Sequence, residues 1–162
     1  MIFKSKKHNS KFYSILLSLS RNIFFYKSIN LRDTYETRLY LIFFHFSIIL
    51  MVFKQKNIKF EQDIYDSLFL NIENNLRELG FGDVSVNKKM KDFNKILYDI
   101  LLKIEFKDST KFKIDRNLVS KYFTELVEIE EKYALFEEYF VKFYDFCFEL
   151  SLDNMLIEAL NF

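Results

Sequence analysis

Almost the whole chain lacks the residues that interrupt helices. Its 162 residues contain two glycines and no proline, and the glycines lie two residues apart, as Gly80 and Gly82. Glycine adopts positive φ without steric cost and commonly ends helices, whereas proline breaks them. We therefore predict long helices and one sharp corner. A helix should end at Leu79, the turn should run from Gly80 to Asp83, and the next helix should begin near Ser85.

Apolar residues recur at helical spacing along the rest of the chain. In the clearest stretch they are spaced four, four, four and three residues apart, as Ile64, Leu68, Ile72, Leu76 and Leu79. No segment shows the alternation that is typical of strands. The sequence predicts an all-α, single-domain bundle of about six to seven helices. They cover roughly residues 12–25, as one helix or two short ones, and residues 34–54, 64–79, 85–104, 115–129, 133–150 and 154–160.

The length of the chain fits one domain. We expect residues 1–10 to form a flexible basic tail and residues 11–162 to form the helical domain. Two helix starts have a capping signal. Asp33 precedes the second helix in a capping box with Glu36, and Asp115 precedes the fifth.

The second predicted helix contains an apolar run, Leu39–Phe53, that only His45 and Ser47 interrupt. A transmembrane helix needs roughly 20 apolar residues, whereas a run of about 10–14 more often marks a core helix. This run falls between the two lengths. We predict a central core helix, and contact with a membrane remains the alternative.

The charges are unevenly distributed along the chain. Residues 1–60 carry eleven basic and two acidic residues, a net charge of +9, whereas residues 61–162 carry thirteen basic and twenty-one acidic residues, a net charge of −8. The basic half is suited to anionic lipid or to ribosomal RNA. The alternative is that the two halves neutralise each other in the fold.

No catalytic or metal-binding constellation is visible. His8 and His45 lie far apart, and the single cysteine, Cys147, is too distant to complete a zinc site. Cys147 excludes an internal disulfide, which fits a reducing compartment, and its aromatic surroundings predict a buried thiol. Gly80-Phe81-Gly82 follows a helix and lacks the third glycine of a nucleotide fingerprint. We expect no enzymatic activity, no cofactor and no metal.

The glycine corner gathers charges of both signs. Arg77 and Glu78 precede the turn, Asp83 closes it, and Lys88 and Lys91 follow it. A purely structural corner needs the glycines and a cap, but not this many charges. The corner is therefore either a surface for recognising a partner or a set of ion pairs within the fold. The aromatic segment Tyr133–Phe148 is the next candidate for a binding surface.

His45 is the most isolated polar group of the apolar helix. One interpretation is a core histidine that is hydrogen-bonded to a neighbour. The other is a polar stripe shared with Arg38, which lies seven residues earlier on the same helix face and would meet the corner or a partner.

The run Leu76–Lys91 closely resembles the signature of the ubiquinol–cytochrome c chaperone family. That signature has a leucine-arginine-glutamate helix end, a glycine-x-glycine-aspartate turn, and a valine followed by a basic helix start. Asn87 departs from it, because the family often has proline there, and residues 94–150 match only in helical character. Further matches occur upstream, at Phe25, Tyr26, Asp33, Thr34, Arg38 and His45.

This resemblance implies an assembly chaperone that binds newly made cytochrome b during biogenesis of the respiratory cytochrome bc1 complex. Other partners that it implies are the ribosome, an anionic membrane surface and a small partner subunit. The expected location is the cytoplasmic face of a bacterial inner membrane, or the matrix side in a mitochondrion. The partner-binding residues taken from the corner and the resemblance are Arg38, His45, Arg77, Glu78, Gly80, Gly82, Asp83, Lys88 and Lys91.

Two other functions remain compatible with the residues alone. A basic helical module that binds RNA or the ribosome would use the +9 half of the chain. A small peripheral membrane protein would use Leu39–Phe53 together with the same basic residues.

Overall fold

A computed structural model describes residues 2–104, 113–151, 154 and 162, with side chains from residue 11 onward. Six α-helices and no strand occur in these residues, which confirms the predicted all-α bundle. A π-helical turn, Phe24–Ser28, and a 3-10 turn, Thr124–Leu126, lie between helices. The helices are α1 (Ile2–Ser20), α2 (Tyr35–Gln55), α3 (Gln62–Glu78), α4 (Asp83–Lys103), α5 (Arg116–Tyr122) and α6 (Glu130–Glu149).

Helix α2 is the centre of the bundle. Every residue from 41 to 49 is buried, and α1, α4 and α6 pack around the helix. Within the described part of the chain, α2 alone is long and apolar enough to cross a membrane, with a mean hydropathy of 1.6 over its 18-residue window. However, 78% of that window is buried inside the protein. The prediction of a core helix is therefore confirmed.

The two ends of α2 are stabilised by polar residues. Thr34 is the N-cap, because its hydroxyl accepts a hydrogen bond from the Thr37 N–H at 3.2 Å. The prediction of Asp33 as the cap is wrong, since the Asp33 carboxylate instead binds Arg38 at 2.7 Å. At the other end, Asn57 has a φ of +56° and performs the chain reversal for which helices commonly use glycine.

Helix α6 contributes an aromatic stripe to the core. Phe136, Phe140 and Phe143 are fully buried, and Phe44 of α2 packs against the first two of them. Most aromatic side chains of Tyr133–Phe148 are buried in this way and are not available to a partner, whereas Phe148 is 40% exposed, so a binding surface on this segment stays a prediction for its exposed residues alone. The sulfur of Cys147 is buried as predicted, and this burial raises the pKa of the thiol to about 12.

The beginning of the chain differs from the sequence-based expectation. Helix α1 begins at Ile2, within the segment expected to be a flexible tail, and ends at Ser20, before the short π-helical turn. The division of the chain at residue 10 stays a prediction. The last predicted helix, residues 154–160, lies outside the described residues except for Asn154.

His45 is the polar group at the middle of the core. It is completely buried, and its Nδ1–H donates a hydrogen bond of 2.6 Å to the Leu41 carbonyl oxygen. Nε2 then accepts one of 2.8 Å from the Tyr139 hydroxyl of α6. Burial lowers the pKa of His45 to about 4, although its bond to Leu41 opposes the shift. The imidazole is therefore neutral at physiological pH and joins α2 to α6.

We predict that the unfolding free energy falls as the pH drops below about 6.5. The unfolded chain binds a proton at His45 with an ordinary pKa near 6.5, whereas the folded chain does so only near a pKa of about 4. The stabilisation from the neutral His45 is complete at a pH above its pKa in the unfolded chain. As the pH falls from there towards the pKa of His45 in the folded chain, the unfolding free energy decreases by about 1.4 kcal/mol per pH unit.

The measurement is urea unfolding between about pH 6.5 and pH 5, a window that lies above the ordinary carboxylate pKa values. His45→Gln serves as the control, because glutamine keeps a polar side chain but does not titrate. This variant should lose most of the slope, whatever its absolute stability. Equal slopes in the two proteins would contradict the assignment.

Candidate functional site

The corner between α3 and α4 is held by backbone hydrogen bonds that require a positive φ. Gly80 has a φ of +97°, and its N–H donates to the Arg77 carbonyl at 3.0 Å. The Phe81 N–H donates to the Leu76 carbonyl at 3.2 Å. This pair of bonds is the Schellman ending of a helix, in which glycine is the favoured residue. The predicted role of Gly80 is confirmed.

Gly82 has a different role from Gly80. Its φ of −77° and ψ of 168° are extended backbone values that any residue adopts, and it is the N-cap of α4. Helix α4 begins at Asp83, two residues earlier than Ser85, where the sequence predicted its start. The Asp83 carboxylate therefore lies in the first turn of the helix, where the helix dipole favours a negative charge.

Arg77 connects the two sides of the corner. One guanidinium nitrogen binds Glu73 on α3 at 3.1 Å, and another binds Asp83 on α4. The pKa of Arg77 is raised by these hydrogen bonds, first by the one to Asp83. Arg77 and Asp83 thus satisfy each other within the fold, and a partner that bound either of them would have to compete with this ion pair.

Lys88 and Lys91 lie on the solvent face of α4. Both are exposed, and neither forms an ion pair with a described residue. Lys95 continues the same row at the next helical position and is also exposed and unpaired within that part of the chain. We call Lys88, Lys91 and Lys95 the α4 basic face. Lys95 was not among the residues predicted from the sequence, although it lies four residues after Lys91 and seven after Lys88, on the same helix face.

The ends of the α4 basic face are apolar. Val84 is 86% exposed at the corner, and Tyr98 and Leu102 are 55% and 72% exposed towards the other end of the helix. These residues follow the same alternating spacing of four and three as the lysines. Lys89, in contrast, lies over the Phe81 ring, 4.8 Å from its centre, and closes the turn. One face of α4 therefore offers three cations between exposed apolar side chains.

Arg38 and His45 do not form a continuous polar stripe at the surface. Arg38 is partly exposed, pairs with Asp33 and lines a groove that also contains Leu79, next to the corner. His45 lies in the core with both ring nitrogens hydrogen-bonded. The prediction that His45 helps to shape the partner surface is therefore wrong for direct contact, because burial separates its ring from solvent.

Glu78 lies near the groove that Arg38 lines. Its side chain is exposed, and its charge acts on Tyr13 of α1. Burial raises the pKa of Tyr13, the nearby Arg21 lowers it, and Glu78 raises it. In the described part of the chain, no group of histidine, cysteine and carboxylate side chains is arranged to hold a metal ion.

Comparison with known proteins gives one family. The model of the ubiquinol–cytochrome C chaperone family matches residues 27–118, more than half of the chain. The chain belongs to the ubiquinol–cytochrome c chaperone family. No curated protein and no solved structure gives a significant match.

The matched segment of this ubiquinol–cytochrome c chaperone contains all nine residues predicted to bind a partner. It also contains α2, α3, α4 and the glycine corner, whereas α1 and α6 lie outside it. Membership of this family supports a role as an assembly chaperone of the cytochrome bc1 complex.

We predict different effects of the same substitution at the two glycines. A Cβ atom at either position has no neighbour within 4 Å, so any cost must come from the backbone. Gly80→Ser should lower the unfolding free energy by about 1 kcal/mol or more, because serine at a φ of +97° is strained. Gly82→Ser should be neutral or stabilising, because serine is a favoured N-cap.

Urea unfolding of the two variants, side by side with the unchanged chain, provides the test. Similar effects at both positions would contradict the division between a glycine required by its φ and a glycine that acts only as an N-cap.

Proposed function

We propose that the protein binds newly made cytochrome b and supports its assembly into the cytochrome bc1 complex through the α4 basic face. The observation that carries this proposal is the family match over residues 27–118, which includes α4 and the corner. Within that segment, the α4 basic face has exposed cations without an ion partner among the described residues. They are available to a partner without the loss of an existing pair.

The chemistry of a membrane-protein client fits this face. A newly made membrane protein exposes apolar segments, for which a chaperone needs exposed apolar surface. Val84, Tyr98 and Leu102 provide such surface on α4. The lysines between them suit acidic or phosphate groups, because they are long, flexible cations that remain in water. A single helix face thus combines both types of contact.

The same cations support a location at the membrane. We propose that the protein acts at the cytoplasmic face of a bacterial inner membrane, or on the matrix side in a mitochondrion, where anionic lipid attracts basic residues. Contact with the ribosome and with a small partner subunit is part of the same proposal. A steep loss of ribosome binding with increasing salt concentration would support the contact with the ribosome.

We predict that Lys88→Glu combined with Lys91→Glu lowers the amount of assembled bc1 complex without unfolding the protein. Both residues are exposed on α4, opposite its buried side, so the helical content and the melting temperature should change little. In a host that depends on this protein, the amount of complex, measured from haem b absorbance and native gels, should fall severalfold. Copurification of cytochrome b should fall in parallel.

Lys142→Glu is the matched control. Lys142 is an exposed lysine on α6, outside the family-matched segment, and pairs with Glu138 at 2.7 Å. Its reversal should leave assembly unchanged. If the α4 double variant supports normal assembly and retains cytochrome b, the α4 basic face is not the client surface. If cells without the protein assemble a normal bc1 complex, the function itself is wrong.

Arg77 is less suitable than Lys88 for this test. Arg77→Glu would place a fourth carboxylate beside Glu73, Glu78 and Asp83, where the wild-type guanidinium neutralises two of them. A defect of that variant would therefore combine a change of the corner with any loss of recognition.

A further inference from the structure

A narrow groove runs between α1, α2 and the end of α3. Its volume is about 200 Å³. Its floor is aliphatic, because Leu39, Ile42 and Ile72 are buried beneath it, and Leu17 and Leu79 extend the apolar lining. Leu79 is 57% exposed, so the groove opens to solvent beside the glycine corner. The groove is separate from the α4 basic face described above.

Two arginines line the groove, one just after the end of α1 and one in α2. Arg21 follows the last residue of α1, and Arg38 belongs to the first half of α2. Arg38 shares its charge with Asp33 at 2.7 Å. Arg21 is exposed and has no ion pair with a described carboxylate. The groove therefore has one neutralised and one available guanidinium group.

The charges of both guanidinium groups act on the pKa of the same side chain, Tyr26. Burial raises the pKa of Tyr26, and the positive charges of Arg38 and Arg21 both oppose this rise, whereas Asp33 adds to it. The Tyr26 hydroxyl itself donates to the Ser20 carbonyl at 2.7 Å, at the end of α1. Arg21 and Arg38 both line the groove, and both lie near enough to Tyr26 for their charges to act on its hydroxyl. Guanidinium groups are well suited to bind phosphate oxygens in pairs.

We propose that this groove binds a single anionic phospholipid, with the phosphate held by Arg21 and Arg38 and part of one acyl chain on the aliphatic floor. The unpaired charge of Arg21 complements the phosphate, Arg38 adds guanidinium donors beside its ion pair with Asp33, and the floor complements hydrocarbon. Tyr13 and Tyr35 also line the groove. Tyrosine at the boundary of apolar and polar surroundings is typical of sites that meet lipid headgroups.

A peptide fits the groove less well than an acyl chain does. An extended backbone brings an N–H and a C=O with every residue, and these groups need hydrogen-bond partners when they are buried. Among the described residues that line the floor and walls, the side chain of Asn75 is the only amide. An acyl chain has no polar groups to satisfy, so the composition of the groove favours lipid over peptide.

Calorimetric titration of the purified full chain with short-chain phospholipids tests the proposal. Dihexanoylphosphatidylglycerol, used below the concentration at which it aggregates, should bind at one site. Dihexanoylphosphatidylcholine has the same chains with a zwitterionic headgroup, and glycerol phosphate has the phosphate without chains. Both should bind at least tenfold more weakly. Each methylene added to one chain should tighten binding about fourfold until the groove is filled.

Three variants locate the site. Arg21→Gln and Arg38→Gln should each weaken phosphatidylglycerol binding tenfold or more. Leu79→Ser, at the exposed edge, should reduce the gain per methylene while it leaves the headgroup preference intact. Lys27→Gln is the matched control, because it removes an exposed charge from the same basic half without touching the groove. Circular dichroism and thermal melting should be the same for all four variants.

Several results would overturn the proposal. Equal binding of phosphatidylglycerol and phosphatidylcholine would remove the role of the arginines. If Lys27→Gln and Arg21→Gln weakened phosphatidylglycerol binding equally, the binding would be a general attraction between basic residues and anionic lipid and not a property of the groove. Tight binding of an apolar peptide with a carboxylate terminus, without binding of phosphatidylglycerol, would assign the groove to a protein segment. The titration contains no cytochrome b, so its outcome is independent of the client proposed above.

Discussion

The burial of α2 is the constraint on which the rest of the structure depends. A helix that is apolar on all sides has no face to offer to water, so other helices must cover it on every side. Burial of each large apolar side chain stabilises the fold by about 1.5–3 kcal/mol, and residues 41–49 are all buried. Helices α1, α4 and α6 supply the cover. Their positions around α2 place the glycine corner, the α4 basic face and the groove on the outside.

His45 makes this core specific as well as apolar. A buried imidazole without partners would be costly, because each unpaired polar group loses its bonds to water. The Leu41 carbonyl lies one turn earlier on the same helix, but the Tyr139 hydroxyl comes from α6, 94 residues away in sequence. The bond between His45 and Tyr139 therefore joins α6 to α2 at a defined position, in addition to the aromatic contacts of His45 with Phe140 and Phe143.

The spacing of apolar residues predicted the helices of this fold better than the preferences of capping residues predicted how each helix begins and ends. Gly80 could be assigned from the sequence because a Schellman ending needs a positive φ and glycine is scarce in this chain. The cap of α2 could not, since Asp33 and Thr34 are both good caps and the choice depends on where Arg38 lies. The positive φ of Asn57 was also not predictable, because asparagine tolerates left-handed backbone but occurs in ordinary backbone as well.

The candidate site was predictable in its location but not in its internal pairing. Arg77, Asp83 and Lys88 lie close in sequence, so their clustering at one corner follows from the turn. Exposed arginine and aspartate serve equally well in an internal ion pair and in recognition, and the pairing of Arg77 with Asp83 is seen only in the three-dimensional structure. The groove lined by Arg21 and Arg38 was not visible at all, because it joins three helices whose packing is set by α2.

Because of its helical periodicity, α4 places the residues that stabilise the bundle on one side and the residues that could contact a partner on the other. Its buried residues, Val86, Phe93, Leu97 and Ile100, face α2 and α3, whereas the lysines of the α4 basic face lie at intervening positions on the solvent side. A charge can therefore change on the outer side without altering the volume packed on the inner side. At the corner this separation is absent, because Arg77 and Asp83 stabilise the turn with the same atoms that would meet a partner. Recognition that must adapt to a client without weakening the bundle is thus better placed along α4 than at the turn from which it starts.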